Sequence, residues 1–332
     1  MRKLSILIPA YNAQRYLPEC LEKLKEINVW NQSQYEVIIV NDGSKDQTKR
    51  LLQDAQSRYS NLQVIHKKNE GVSVARNTAL DAATGEYVFF LDADDYPDAE
   101  NWNYVDTFLN GIEEADFIGF TYETLYADGT TKEEPLWQGK KVSRDLMMAR
   151  RLTYASSRFN TCWGKLFRRS IIEEYQIHFI PGMKIGEDAM FVMEYMTHCK
   201  NPILYNLPIL FYRQVSDSAM HASDENQKLR DFQILYAYRK KQILKDDEIY
   251  EAMCREHFSV ITNLMLQAAY RLKGRALRKQ YAIFLKDSLV QEILCEVKSE
   301  SLHPVYKKVE YILMKHRMLR ALTYYFQLKS SQ

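Results

Sequence analysis

The chain has 332 residues, of which 46% are hydrophobic and 27% charged, and its formal net charge is +2. This composition indicates a globular protein of one large or two ordinary domains and excludes a disordered chain. Since the net charge is small and no nucleic-acid-binding motif occurs, a role in binding nucleic acid is disfavoured. The five cysteines are scattered and include no Cys-x-x-Cys pair. They therefore predict reduced thiols rather than a structural zinc site.

No cleavable signal or membrane span is predicted from the sequence. The first apolar run follows Lys3 directly, and the longest uncharged apolar-rich stretch near the end, Phe258–Tyr270, is shorter than the roughly 20 residues of a spanning helix. We therefore expect a cytoplasmic protein. Residues 271–332 carry 13 Lys/Arg against 5 Asp/Glu, so a location at the inner face of the plasma membrane is the alternative.

Strand-like and helix-like patterns alternate over the first 120 residues. The predicted strands are Leu4–Ile8, Glu36–Val40, Leu62–His66, Tyr87–Leu91 and Asp116–Phe120. The predicted helices are Leu17–Ile27, Gln47–Arg58, Val72–Ala83 and Trp102–Ile112. Strands joined by single helices predict an α/β fold with a mostly parallel, Rossmann-like sheet flanked by helices.

The remainder of the chain changes from a mixed to a helical pattern. We predict a hairpin over Tyr122–Pro135, a helix over Lys165–Tyr175, and short strands at Ile203–Tyr205 and Ile209–Tyr212. Residues 225–329 indicate several amphipathic helices, because only Gly274 and Pro304 interrupt them. These patterns predict two domains, an α/β domain over residues 1–222 and a helical region over residues 223–332.

Three carboxylates follow the predicted strand Tyr87–Leu91, at Asp92, Asp94 and Asp95. Carboxylates at the end of a buried strand can hold a hard divalent cation, which prefers oxygen ligands. Such an ion would bridge the protein to a phosphate-bearing substrate. The alternative is that these acids cap a helix beginning at Pro97.

Two other predicted strands also end in groups that could bind a ligand. The first is followed by Pro9-Ala10-Tyr11-Asn12 and the second by Asn41-Asp42-Gly43-Ser44. In an open parallel sheet, ligands bind beyond the carboxyl ends of the strands. An aromatic ring, a hydrogen-bond acceptor and a cation site at one edge together indicate a nucleoside diphosphate pocket. Taken singly, each segment is also explained as a turn or a helix cap.

Several separated motifs occur in an order that resembles the family 2 glycosyltransferases, inverting enzymes of the GT-A fold that assemble bacterial surface polymers. The resemblance covers roughly residues 3–220, and the C-terminal third lies outside it. The motifs are Ser5–Asn12, Val40–Ser44, Asn69–Asn77, Asp92–Asp94 and Gly186–Asp188.

This resemblance implies an enzyme, a hexosyltransferase or N-acetylhexosaminyltransferase that moves a sugar from a UDP-sugar to a hydroxyl of a glycan or lipid-linked glycan. It also implies a divalent cation as cofactor, Mn²⁺ or Mg²⁺, and a place in cell-surface polysaccharide synthesis. The alternative function is that of a non-catalytic nucleotide-sugar-binding or scaffold subunit of an assembly complex. Intact Asp94 and Asp188 argue against this alternative.

The resemblance assigns roles to residues at the strand ends. Tyr11 would pack against the nucleotide base, and Asp42 would accept a base N–H. The residues implied to bind the nucleotide sugar are Pro9, Ala10, Tyr11, Asn12, Asp42, Arg76, Asp92 and Ala93. Asp94 would ligate the cation, whereas His221 is interpreted either as a further metal ligand or as a surface histidine.

On the acceptor side, Asp188 resembles the base that removes the proton from the attacking hydroxyl. Glu187 would support it, although both acids also suit an ordinary helix N-terminus. Trp163 either lines the acceptor side and stacks on a sugar ring or packs in the core.

The final stretch, Val305–Leu328, interleaves aromatic with basic residues. This composition suits a peripheral contact with an anionic membrane. The alternatives are a helical bundle that packs on the catalytic domain and a surface that forms a homodimer.

Overall fold

The computed structural model describes residues 3–111, 115–133, 135, 142–156, 159–214, 225–243 and 248–331. The chain divides into two compact units. The first consists of residues 1–153 and 158–222, and the second of residues 154–157 and 223–332. The roles of the two predicted domains stay predictions.

The first unit is built on a mixed sheet. Its strands are β1 (Leu4–Ala10), β2 (Tyr35–Asp42), β3 (Leu62–Lys67), β4 (Tyr87–Phe90), β5 (Tyr96–Pro97), β6 (Phe117–Leu125), β7 (Thr131–Glu133), β8 (Val142–Ser143), β9 (Lys165–Arg168) and β10 (Pro202–Arg213). The strand order is β3-β2-β1-β4-β9-β6-β10-β5, with β7 beside β6 and β8 beside β10. The pairs β1–β2, β2–β3, β1–β4 and β6–β10 are parallel. Strand β9 is antiparallel to both of its neighbours, β4 and β6.

Helices cover both faces of this sheet. They are α1 (Leu17–Glu26), α2 (Thr48–Gln56), α3 (Val72–Ala82), α4 (Asn103–Asn110), α5 (Leu146–Ala155), α6 (Arg169–Glu174) and α7 (Glu187–His198). Because side chains alternate along a strand, Ile6 and Ile8 of β1 pack into the core that includes α1 and α4, whereas Leu7 packs into the core that includes α3 and α7. Burial on both faces explains the continuous apolar character of the central strands.

The predicted α/β architecture is confirmed, and so is the hairpin, formed by β6 and β7. Two local predictions are wrong in part. The segment predicted as a helix over Lys165–Tyr175 begins as strand β9, because its buried Leu166 and Phe167 fill the two opposite cores of the sheet. The runs Ile203–Tyr205 and Ile209–Tyr212 form one strand, β10, with shifts in register on either side of Pro208.

The second unit is helical. Its helices are α8 (Glu225–Gln242), α9 (Glu248–Arg271), α10 (Gly274–Phe284), α11 (Ser288–Glu296), α12 (Val305–Lys315) and α13 (Leu319–Lys329). Buried side chains of α9, including Met253, Phe258 and Met265, contribute to its core. Among the residues described, no helix is both long and apolar enough to cross a membrane.

Candidate active site

The exit of β1 places an exposed aromatic ring beside a rigid turn. Tyr11 is 48% exposed, so its side chain is accessible to a ligand. Asn12 has a φ of 50°, which asparagine tolerates better than most residues. The Asn12 amide oxygen accepts the N–H of Lys45 at 2.8 Å, and the Asn12 N–H donates to Ser44 Oγ at 3.0 Å. These bonds fasten the exits of β1 and β2 to each other.

Asp42 at the end of β2 is buried and anchors the loop that leads into α3. Its carboxylate accepts the backbone N–H groups of Glu70 at 3.0 Å and Gly71 at 2.8 Å and pairs with Lys67 at 3.1 Å. A carboxylate has about four lone-pair sites, so acceptor capacity is left for a ligand. Gly43 is required next to it, because a Cβ there would lie 2.6 Å from the backbone nitrogen of Asn69.

The acids after β4 do not cap a helix, since Pro97 belongs to the short strand β5 and α4 begins only at Asn103. Arg213, the last residue of β10, fixes this loop instead. Its backbone N–H donates to Asp95 Oδ1 at 2.8 Å and its Nε donates to the carbonyl oxygen of Asp94 at 3.0 Å. Arg213 was not predicted as a site residue; its place as the charged residue ending an apolar run was the only signal in the sequence.

The loop concentrates negative charge. Burial, followed by the charge of Asp92, raises the pKa of Asp94 to about 6. Burial and the charges of Asp94 and Asp92 raise the pKa of Asp95 well above its usual range. Crowded carboxylates with raised pKa values are the donor set that a divalent cation stabilises, and Mg²⁺ commonly uses one or two carboxylates together with substrate phosphates. The residues present therefore fit such an ion.

Among the described residues, protein side chains alone do not form a complete metal site. In the part of the chain that the structure describes, no group of three or more His, Cys, Asp or Glu side chains is arranged to hold a metal. The predicted ligand His221 lies outside the described residues. Asp94 and His221 consequently stay predicted metal ligands.

Arg76 of α3 is the centre of the site. It is buried, and its guanidinium pairs with Asp92 at 2.9 Å, Glu187 at 3.2 Å and Asp188 at 2.5 Å. Burial alone would lower its pKa, but the charges of Asp188 and the other acids outweigh this and raise the pKa well above the ordinary value. Arg76 is therefore not a surface arginine, and it lies directly beside the acids that follow β4 and begin α7.

Helix α7 brings the two predicted acceptor-side acids to this arginine. Gly186 adopts a φ of 82° immediately before the helix, and Glu187 and Asp188 occupy its first turn, where the helix dipole favours acids. A second bond orients Asp188, because its Oδ2 accepts the backbone N–H of Cys162 at 3.2 Å. Asp188 is thus held on both oxygens while 18% of its side chain stays exposed.

Burial, followed by the charge of Asp188, raises the pKa of Glu187 from 4.5 to about 7. The folded protein then binds this proton more tightly than the unfolded chain, so stability falls as the pH rises between these values. We expect Glu187→Gln, which removes the buried charge, to raise the free energy of unfolding near pH 8 by about 2 kcal/mol and to change it little near pH 4.5. Urea unfolding at both pH values measures this.

The matched control is Glu22→Gln, since the Glu22 side chain is 66% exposed. Its effect should be small and equal at the two pH values. A Glu187→Gln variant less stable than the parent near pH 8 would contradict the interpretation that the buried charge of Glu187 destabilises the folded protein.

Trp163 packs in the hydrophobic core against aromatic side chains of β6 and β10. It is only 5% exposed, stacks on Tyr212 with ring centroids 5.2 Å apart and meets the edge of Tyr122 at 4.6 Å. Packing in the core was one of the two roles predicted for Trp163. A contact between Trp163 and the acceptor stays a prediction. The neighbouring Lys165 was not predicted; its buried Nζ donates to the Trp163 carbonyl at 3.2 Å, and burial lowers its pKa to about 7.

Comparison with known proteins identifies the family. Residues 5–176 match the model of Glycosyl transferase family 2. This match covers more than half of the chain, so the chain belongs to glycosyl transferase family 2 and is a glycosyltransferase. The predicted family and enzyme class are confirmed.

Two curated relatives illustrate the range of the family. The uncharacterized glycosyltransferase EpsJ of Bacillus subtilis (strain 168) is 29% identical over 221 residues, which are 64% of this chain and 62% of EpsJ. The teichoic acid poly(glycerol phosphate) polymerase of Staphylococcus epidermidis is 31% identical over 221 residues, 65% of this chain and 29% of that protein. The chain therefore spans less than two thirds of the length of either relative.

Solved structures show the same fold. S. aureus TarS, residues 1–349 in complex with UDP-GlcNAc, aligns with a TM-score of 0.69 at 19% identity, covering 98% of this chain and 89% of that chain. The mannosyltransferase PcManGT of Pyrobaculum calidifontis, in complex with GDP-Man and Mn²⁺, aligns with a TM-score of 0.52 at 14% identity, covering 100% and 84%. These likenesses confirm the GT-A-like sheet flanked by helices.

Proposed function

We propose that this chain transfers a sugar from a UDP-sugar to a hydroxyl of a glycan or lipid-linked glycan during the synthesis of a cell-surface polymer. The observation that carries the proposal is the single guanidinium of Arg76, which pairs with Asp92 on the predicted donor side and with Asp188 on the predicted acceptor side. The TarS structure, which holds UDP-GlcNAc, supports UDP as the nucleotide.

The strand exits supply the nucleotide pocket in this proposal. The open ring of Tyr11 stacks on the base, and Pro9 and Ala10 form the wall behind it. Asp42, held in place by the loop before α3, accepts a base N–H with its remaining lone pair. Because Asn12 joins the exits of β1 and β2, both sides of the pocket keep a fixed separation.

Asp188 performs the proton transfer. As the acceptor oxygen forms its bond to the anomeric carbon, the hydroxyl proton moves to the Asp188 carboxylate. The bond between the anomeric carbon and the diphosphate oxygen breaks, and UDP leaves with the electron pair. One displacement inverts the anomeric centre and needs no covalent intermediate. Arg76 and the Cys162 N–H hold the carboxylate in place for this step.

Asp92 and Asp94 would hold a divalent cation together with diphosphate oxygens, with His221 as a further proposed ligand. When bound, Mn²⁺ or Mg²⁺ supplies positive charge that stabilises a leaving diphosphate. Asp95 is not proposed as a ligand, because its Oδ1 already accepts the Arg213 N–H and its side chain is buried.

Asp94→Asn is expected to weaken the binding of Mn²⁺ in the presence of UDP by at least about tenfold, since a neutral amide replaces a charged ligand. The signal of free Mn²⁺ in electron paramagnetic resonance measures this without any turnover. Asp81→Asn is the control, because the Asp81 side chain is 69% exposed and lies on α3 outside this loop. Equal Mn²⁺ affinity of the two variants would remove Asp94 from the proposed site.

A thermal-shift panel of UDP, several UDP-sugars and GDP-mannose, each with Mn²⁺, Mg²⁺ or a chelator, tests the donor. We expect stabilisation by UDP compounds that requires the cation. Preferential stabilisation by GDP-mannose would contradict the donor proposal. Release of UDP from the stabilising sugar nucleotide distinguishes the enzyme from a non-catalytic binding subunit, which would bind the same compound without consuming it.

A further inference from the structure

Helix α12 presents an apolar stripe to the outside of the second unit. Val305, Val309 and Ile312 follow one another at the four- and three-residue spacing that places side chains on one face of a helix. They are 71%, 41% and 50% exposed, respectively. An amphipathic helix normally turns such a stripe towards the core, so this face indicates a contact with something apolar.

The opposite, buried face of α12 carries charged residues. Glu310 is fully buried and pairs with Lys307 at 3.2 Å and with Lys329 of α13 at 2.8 Å. Lys307 also donates to Thr262 of α9. The buried face of α12 therefore carries paired charges beside Met314, whereas the opposite face carries exposed aliphatic side chains.

Helix α13 also exposes apolar side chains. Tyr324 and Leu328, four residues apart on one face, are 66% and 51% exposed, and Met318 just before the helix is 46% exposed. We call six of the exposed apolar side chains on and next to these helices the outer face. It consists of Val305, Val309, Ile312, Met318, Tyr324 and Leu328.

The charges around the outer face have one sign. Residues 305–329 contain six Lys/Arg and a single acid, the buried Glu310. Lys315, Arg317 and Arg320 are exposed, and Lys308 is half-buried. A surface with apolar groups, a tyrosine and only positive charge complements a bilayer that contains anionic lipid.

We propose that the outer face docks on the surface of an anionic lipid bilayer. Each of the two helices has 11 residues, which is too short to span a bilayer, so both helices lie in the interface. A second copy of the chain fits this face less well, because a two-fold contact would bring the same basic residues together. The inference does not depend on the proposed reaction.

Co-sedimentation of the full chain with vesicles tests this inference. We expect binding to vesicles of phosphatidylcholine with about one third phosphatidylglycerol, and weak binding to phosphatidylcholine alone or at high salt. The double variant Val309→Gln/Ile312→Gln should bind anionic vesicles at least about tenfold more weakly, because two aliphatic side chains no longer enter the bilayer.

The matched control is Ile283→Gln on α10, since Ile283 is 48% exposed and lies outside the outer face. It should bind like the parent, and thermal unfolding of all variants checks that the fold is kept. Equal vesicle binding of the parent and the double variant would overturn the inference. So would a parent dimer in light scattering that the double variant converts to a monomer, because the outer face would then bind a second copy.

Discussion

Replacing Asp188 by asparagine is expected to lower turnover by a factor of about 10²–10⁴, the usual contribution of a general base. Asparagine has nearly the same shape and still offers an oxygen to Arg76, but it cannot accept the proton of the acceptor hydroxyl. Binding of UDP with Mn²⁺ should stay close to that of the parent, because Asp188 lies on α7 and not at the strand exits that form the proposed nucleotide pocket. Steady-state release of UDP and calorimetric titration with UDP measure the two quantities.

Glu187→Gln is the matched control for this prediction, since Glu187 precedes Asp188 on the same helical turn and pairs with the same guanidinium. Its turnover should fall much less. If Asp188→Asn kept the parent's turnover, Asp188 would not be the base. If both variants lost activity equally, the acids would act mainly by holding Arg76.

Replacing Arg76 by methionine is expected to destabilise the protein by about 3–5 kcal/mol near neutral pH, the usual result of removing one partner from a buried ion pair. Three carboxylates, Asp92, Glu187 and Asp188, would lose their common counter-charge. The loss should be smaller near pH 5, because Glu187, whose pKa is raised to about 7, is then protonated and no longer needs the counter-charge. Urea unfolding at the two pH values measures both the size and the pH dependence of the effect.

Arg58→Met is the control, since Arg58 is an exposed arginine, and its effect should stay within about 0.5 kcal/mol. Combining Arg76→Met with Glu187→Gln should recover part of the lost stability, because one of the unpaired acids becomes neutral. A stable Arg76→Met variant would show that the buried ion pairs do not stabilise this fold, as happens when desolvation outweighs attraction.

The strand ends that carry the predicted donor-side residues were predictable from the sequence. Asp42 is the last residue of β2, and Tyr11 and Asp92 follow β1 and β4. These positions were predictable because long apolar runs identify buried strands and parallel strands end at one edge. The position of Arg76 was also predictable, since the small residues before it on α3 allow the helix to pack closely against the sheet.

Contacts that depend on distant segments were not predictable in the same way. Strand β9 is only four residues long, too short for a periodic pattern, and only its place between β4 and β6 makes it a strand. Arg213 reaches Asp95 and Asp94 from 118 and 119 residues away, respectively. No local rule connects such pairs, because the register of β10 decides which of its residues meets the loop.

The bond between Asp188 and residue 162 is made by a main-chain amide. Its geometry therefore follows from the route of the polypeptide through this segment, whatever side chain the position bears. The bond itself does not use the Cys162 side chain, and only proline, which lacks the N–H, would abolish it directly. The side chain at position 162 can therefore vary without removing the donor that orients the Asp188 carboxylate.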